Sequence, residues 1–138
     1  MTIQYPDLTA LILRIGFGAY MLFGHGYGKL MKLISGEEIQ FISFLGLSPK
    51  ISLGLAVFAE FIACIFIIIG YKTRVATLPL LVTMLVAIFG VHGSDPWFMY
   101  GAEGGSKEPA VIYFIGFLSI YLLGSGKYSV DDRSYTVA

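Results

Sequence analysis

The 138-residue sequence predicts an all-α fold, a single integral membrane domain (residues 1–138) built as a bundle of four transmembrane helices. Hydrophobic residues make up 57% of the chain and charged residues only 13%, whereas an average soluble domain carries roughly 25% charged residues. So few charges would cover the surface of a soluble protein poorly, but lipid solvates apolar side chains directly. The apolar residues are gathered in four long runs that lack the period-2 alternation of strands, which leaves helices.

The four apolar runs predict transmembrane helices at about residues 8–30, 51–69, 75–92 and 108–123. Because a helix rises about 1.5 Å per residue, roughly 20 residues match a hydrocarbon core of about 30 Å. The first three runs reach or approach that length. The fourth is shorter, so we expect Lys107 and the residues that follow the run to complete it at the interface. A polar tail, residues 124–138, ends the chain and is expected to be exposed to solvent.

The segment between the first two runs predicts a short interfacial helix. Ser35 is followed three residues later by Glu38, which is the pattern of a capping box at a helix N-terminus. Residues 39–47 then place apolar side chains on one face, and Ser48-Pro49 is a stop signal.

Charge indicates the orientation of the bundle and excludes one class of partner. Four crossings place both termini on the same side of the membrane as the short loop with Lys72 and Arg74. Because basic residues are enriched in cytoplasmic loops, these two charges favour cytoplasmic termini. Nine basic residues balance nine acidic ones, which leaves no basic surface to neutralise the phosphates of a nucleic acid.

Five ionisable residues in or at the ends of the predicted helices form the candidate binding site: His25, Lys29, Glu60, His92 and Glu108. Placing an ionisable side chain inside a bilayer costs roughly 2.5–3.5 kcal/mol of free energy on insertion scales, so each of these residues is expected to have a structural or functional role. Up-and-down threading brings the helix ends with His25, His92 and Glu108 to one membrane face, with Lys29 one turn further out. Glu60 lies deeper, about 13 Å below the start of its helix. The arrangement predicts a polar pocket that opens at one face.

Structural roles for these residues are the alternative. Arg14 and Glu60 could form an interhelical ion pair that fixes the register of the first two helices. His25 and His92 could hydrogen-bond loop carbonyls or water, and the remaining charges could mark the interface.

A set of short motifs occurs in order along residues 8–132. It consists of Arg14-x3-Gly18-x6-His25-Gly26-x2-Lys29-Leu30, Glu60 among small residues, Gly70-x2-Thr73-Arg74, Met84, His92, Lys107-Glu108-Pro109 and Gly124-x-Gly126-x2-Ser129-x-Asp131. This ordered set resembles the DoxX family of bacterial membrane proteins. The resemblance implies a four-helix, multi-pass protein of the bacterial cytoplasmic (inner) membrane. It also implies a link to redox metabolism, since related DoxD-type proteins are membrane subunits of thiosulfate:quinone oxidoreductase.

The pocket and the resemblance together predict a membrane subunit of a quinone-linked redox system that binds a quinone-like ligand. His25 or His92 would donate to a quinone oxygen, while Glu60 and Glu108 would relay protons. Besides the lipid bilayer, the expected partners are oxidoreductase subunits or further copies of the chain. Cys64 is the single cysteine, so the cysteine-pair chemistry of disulfide-forming membrane proteins is excluded for the chain acting alone.

Three other functions stay open, and the sequence contains no self-contained catalytic motif. The chain could be a non-catalytic anchor or assembly subunit. It could bind haem or a metal through His25, His92 and Glu108, which resemble a set of two histidines and one carboxylate. It could also transport a small solute or protons through the pocket, although no inverted repeat is visible.

Overall fold

The computed structural model describes the backbone of residues 5–135 and the side chains of residues 5–132. Within that part of the chain the structure is helical and contains no strand. Its helices are α1 (Tyr5–Ile34), α2 (Pro49–Ile69), α3 (Thr73–Val91), α4 (Glu108–Leu123) and α5 (Val130–Tyr135). The first three are long and apolar enough to cross a membrane, whereas α4 is an apolar helix of 16 residues.

Each of the three long helices contains one π turn, a wide turn that is rare and often found at functional sites. The turns are Leu22–Gly26 in α1, Phe58–Ile62 in α2 and Ala87–Val91 in α3. A π turn shifts every later side chain by about one residue around the helix. In α1 the buried stripe therefore passes from Gly18 and Met21 to Gly26, and His25, which an unbroken helix would turn inward, is exposed.

Glycines allow the helices to approach closely at two crossings. A Cβ atom on Gly26 would lie 2.2 Å from the carbonyl oxygen of Glu60, so α1 and α2 touch backbone to backbone. A Cβ atom on Gly116 of α4 would lie 2.3 Å from the ring of Phe17 in α1. Small residues at such contacts are typical of helices that pack in membranes. Cys64 is completely buried in the core between these helices.

Arg14 joins three parts of the chain at the end of the bundle that holds the α2–α3 loop. Its guanidinium group is completely buried and donates to the carbonyl oxygens of Ile68 (3.0 Å), Ile67 (3.3 Å) and Tyr128 (2.6 Å). The first two carbonyls belong to the last turn of α2, where no following helical turn supplies N–H donors. The ion pair considered between Arg14 and Glu60 is therefore wrong, because Arg14 lies level with Ile68, about 12 Å along the helix from Glu60.

The tail after α4 packs against the same end. The backbone N–H groups of Lys72 and Thr73, at the start of α3, donate to the carboxylate of Asp131 at 2.9 and 3.4 Å. The Asp131 N–H group in turn donates to the carbonyl of Gly70. Ser129 is buried, so the expected solvent exposure of the tail is wrong there. Asp131, which is distant from α3 in sequence, accepts hydrogen bonds from the N–H groups at the start of α3. This is the role that an N-cap residue has in other helices.

The predicted interfacial helix is not formed. Residues 36–43 are not helical, and a single 3-10 turn, Phe44–Gly46, follows them. Ser35 ends α1 rather than starting a new helix, because its hydroxyl donates to the carbonyl of Lys32 at 2.9 Å. Gly36 then adopts a left-handed φ of 75°, which turns the chain away from the helix axis.

The contact between Gly26 and Glu60 gives a direct test of the helix crossing. Gly26→Ala should lower the free energy of unfolding by about 1–3 kcal/mol, because the added methyl group meets a main-chain carbonyl that cannot rotate away. Gly28→Ala is the matched control, since nothing lies within 4 Å of a Cβ atom there. Unfolding of the detergent-solubilised protein can be followed by the fluorescence of Trp97, the single tryptophan. Equal stability of the two variants would contradict the crossing.

Candidate functional site

A cavity of about 800 Å³ lies at the end of the bundle opposite Arg14. Its walls come from the second half of α1, the first half of α2, the second half of α3 and the start of α4, together with residues 40–44. In an up-and-down bundle these segments share one end. Most of the lining is apolar, and a small number of polar side chains project among it. That combination is typical of sites that bind small organic molecules.

Four of the five predicted site residues line this cavity, namely His25, Lys29, Glu60 and His92. Glu108 does not. Its carboxylate accepts from the N–H group of Met99 at 2.7 Å, and it lies against a second, smaller cavity of about 440 Å³ between α1 and α4. Glu108 is the first residue of α4, so its side chain holds the preceding loop against the helix.

Lys29 is the partner of Glu60. Its ammonium group forms an ion pair and hydrogen bond with the carboxylate, across the α1–α2 crossing. The Glu60 side chain is only 5% exposed, while that of Lys29 is 27% exposed. A buried carboxylate without a compensating charge is strongly unfavourable, so the pair holds α1 and α2 together at the cavity. The ammonium group of Lys29 has three hydrogens, which leaves donors that can reach a bound molecule.

The imidazole of His25 is exposed and stands edge-on to the ring of Tyr113 in α4, with the ring centroids 5.6 Å apart. Tyr113 lines both cavities and therefore forms part of the wall between them. The sequence interpretation missed Tyr113. The sequence did contain a signal for this residue, namely a tyrosine within a largely apolar helix. A tyrosine hydroxyl needs a polar partner when it is buried.

His92 ends α3 and forms a hydrogen bond from Nδ1 to a carboxylate oxygen of Asp95, at 2.7 Å. The ammonium group of Lys107 holds the same loop by donating to the carbonyls of Gly93 (3.0 Å) and Asp95 (2.5 Å). Lys107 is only 6% exposed, because its ammonium group is directed into the loop. A Cβ atom on Gly105 would lie 2.7 Å from the Asp95 carboxylate, so the backbone at Gly105 packs closely against this side chain.

Ser106 is a second residue that the sequence interpretation missed. It lines the cavity next to the loop that carries Asp95, and it is 6% exposed. Its hydroxyl oxygen has no hydrogen-bond partner within the described part of the protein. Because a buried hydroxyl without a partner is unfavourable, Ser106 is a candidate contact for a bound ligand or water.

The placement of the carboxylates argues against the metal set considered from the sequence. Within residues 5–132, no group of three or more His, Cys, Asp or Glu side chains converges as metal ligands do. The set of two histidines and one carboxylate needed Glu108, which lies outside the cavity that His25 and His92 share.

Comparison with known proteins gives one match. Residues 9–93, more than half of the chain, match the family described as DoxX. The matched region includes α1, α2 and α3 up to His92, and with them the four residues that share the cavity. No curated protein and no solved structure matches the chain.

The Lys29–Glu60 pair predicts a non-additive response to mutation. Lys29→Met should lower the free energy of unfolding by about 3 kcal/mol, because it leaves a buried carboxylate without its cation. Adding Glu60→Gln should restore most of this loss. Lys50→Met, at an exposed position near the start of α2, is the control and should change stability by less than about 0.5 kcal/mol. If the effects of Lys29→Met and Glu60→Gln simply add, the two side chains are not coupled.

Proposed function

The chain belongs to the DoxX family, and on this premise we propose that it is a membrane subunit of a quinone-linked redox system. In this role it binds a quinone-like ligand in the cavity at the helix ends. The observation that carries the proposal is the joint placement of two histidines and the Lys29–Glu60 pair in one mostly apolar cavity.

The size and lining of the cavity suit such a ligand. Pockets for small molecules occupy about 300–1,000 Å³, with mainly apolar walls and few polar groups that fix orientation. A quinone head is a flat ring with two carbonyl oxygens, so it needs hydrogen-bond donors, and its tail needs an apolar slot. The cavity offers both, since apolar side chains of α2 and α3 lie opposite the polar groups.

His25 and Lys29 are the donors that we assign to the quinone oxygens. The imidazole of His25 is exposed and its orientation is set by the ring of Tyr113. Lys29 keeps donors beyond the one that it gives to Glu60.

Glu60 is the group that we assign to proton transfer. Reduction of a quinone consumes protons, and a carboxylate beside the ligand can take up and deliver them. Glu60 is the carboxylate that lines the cavity within a transmembrane helix, and Lys29 is its ion-pair partner. Glu108 was a further candidate for this relay, but its contact with Met99 assigns it to the loop. We assign the supply of electrons to partner subunits.

The membrane arrangement of the proposal has four crossings and cytoplasmic termini, in the bacterial cytoplasmic membrane. The 16 residues of α4 measure about 24 Å, so the bilayer must thin locally around this helix. Trp97, Phe98 and Tyr100 are exposed in the α3–α4 loop, which supports its position at the lipid headgroups. With Lys72 and Arg74 on the cytoplasmic side, the cavity opens towards the outer face.

His25→Ala should weaken the binding of ubiquinone or menaquinone about tenfold, the effect of one lost hydrogen bond in a desolvated site. Phe23→Ala is the control, because Phe23 lies on the exposed face of the same helix and does not line the cavity. Binding to the detergent-solubilised protein can be measured by quenching of Trp97 fluorescence. An unchanged dissociation constant for His25→Ala would remove His25 from the site.

A further inference from the structure

We propose that the His92–Asp95 pair makes the cavity selective for the reduced, hydroxyl-bearing form of its ligand, a hydroquinone, over the oxidised quinone. This inference rests on the proposed function, because it concerns the same cavity and the same class of ligand. The redox state of the ligand that binds more tightly, and the residue that discriminates between the two states, are what the proposed function leaves open.

Asp95 determines which nitrogen of His92 carries the hydrogen. An ionised carboxylate can only accept a hydrogen bond, so the 2.7 Å contact places a hydrogen on Nδ1. When the ring is uncharged, the other nitrogen, Nε2, carries a lone pair and acts as an acceptor. Because Nδ1 is engaged by Asp95, Nε2 is the ring nitrogen left to meet a molecule in the cavity that His92 lines.

The loop holds this tautomer in place before any ligand binds. The Asp95 N–H group donates to the carbonyl of His92 at 3.0 Å, and Lys107 fixes the carbonyl of Asp95. Gly105 packs so closely on both side chains that a Cβ atom there would lie 2.7 Å from the carboxylate and 3.2 Å from Nδ1 of His92. A side-chain pair held by these contacts is preorganised, so its acceptor does not have to be assembled when the ligand arrives.

An acceptor nitrogen discriminates between the two redox forms of the ligand. A hydroquinone hydroxyl donates to Nε2 of His92, whereas a quinone carbonyl would place two acceptors against each other and leave both unpaired. Ser106, with its unpartnered buried hydroxyl, lines the same cavity and can donate to the oxygen of that ligand hydroxyl. The sites at His25 and Lys29 supply donors for the other ligand oxygen in either redox form.

The test compares an alkyl hydroquinone with the corresponding quinone, measured under anaerobic conditions on the full chain in detergent. The wild type should bind the hydroquinone about tenfold more tightly than the quinone. The hydroquinone gains one hydrogen bond and avoids the contact between two acceptors. His92→Ala should weaken hydroquinone binding about tenfold and leave quinone binding within about twofold. Glu103→Gln changes an exposed carboxylate of the same loop, and should leave both dissociation constants unchanged.

Asp95→Asn separates tautomer control from a packing effect. The amide can donate to Nδ1 and move the hydrogen to Nε2, so the preference for the hydroquinone should shrink or reverse. Nitrogen NMR of the wild type, which has two histidines, provides an independent measurement and should show Nδ1 of His92 protonated and Nε2 bare. The opposite tautomer, or equal or tighter binding of the quinone by the wild type, would overturn the inference while leaving quinone binding intact. If neither form binds, the proposed function fails and this inference fails with it.

Discussion

The contact between Gly26 and the carbonyl of Glu60 is the constraint on which the rest of the site depends. It brings α1 and α2 so close that no side chain fits at position 26. At this crossing the ammonium group of Lys29 pairs with the carboxylate of Glu60, and its charge compensates a buried carboxylate that would otherwise be strongly unfavourable in a membrane helix. Both helices widen into π turns at this crossing, and these turns release His25 from the buried stripe into the cavity.

The two ends of the bundle use their charged groups differently. At one end, Arg14 and Asp131 bind backbone groups of α2, α3 and the tail, which satisfies the helix termini that meet there. At the other end, polar side chains pair with one another around the cavity, as Lys29 does with Glu60 and His92 with Asp95. Polar groups at the first end therefore close the fold, and those at the second remain available to a ligand.

Much of this arrangement follows from the sequence because lipid imposes strong constraints. Length and hydropathy are sufficient to locate the three helices that are long and apolar enough to span a membrane. The shorter α4 also begins and ends at the predicted residues, Glu108 and Leu123. Up-and-down threading also restricts which helix ends can meet. For that reason His25, Lys29 and His92 were expected at one end, and all three line the same cavity.

The sequence could not reveal contacts that depend on small shifts of the backbone. Residue types carry no signal for a π turn, so neither the exposure of His25 nor the close contact at Gly26 could be predicted. Ser35 and Glu38 have the spacing of a capping box, but the hydroxyl of Ser35 is used by the helix before it. Arg14 could be recognised as needing a partner, yet its acceptors are main-chain carbonyls, which carry no signal in the residue types.

If the cavity holds a quinone-like ligand, a quinone should be found among the lipids that co-purify with the protein from its native membrane. Ala87 lines the cavity, whereas Leu85 lies on the exposed face of the same helix. By mass spectrometry, the wild type and Leu85→Phe should carry stoichiometric quinone, and Ala87→Phe, which fills the cavity, should carry much less at equal folded yield. Equal amounts of quinone in all three proteins, or none in the wild type, would contradict the account.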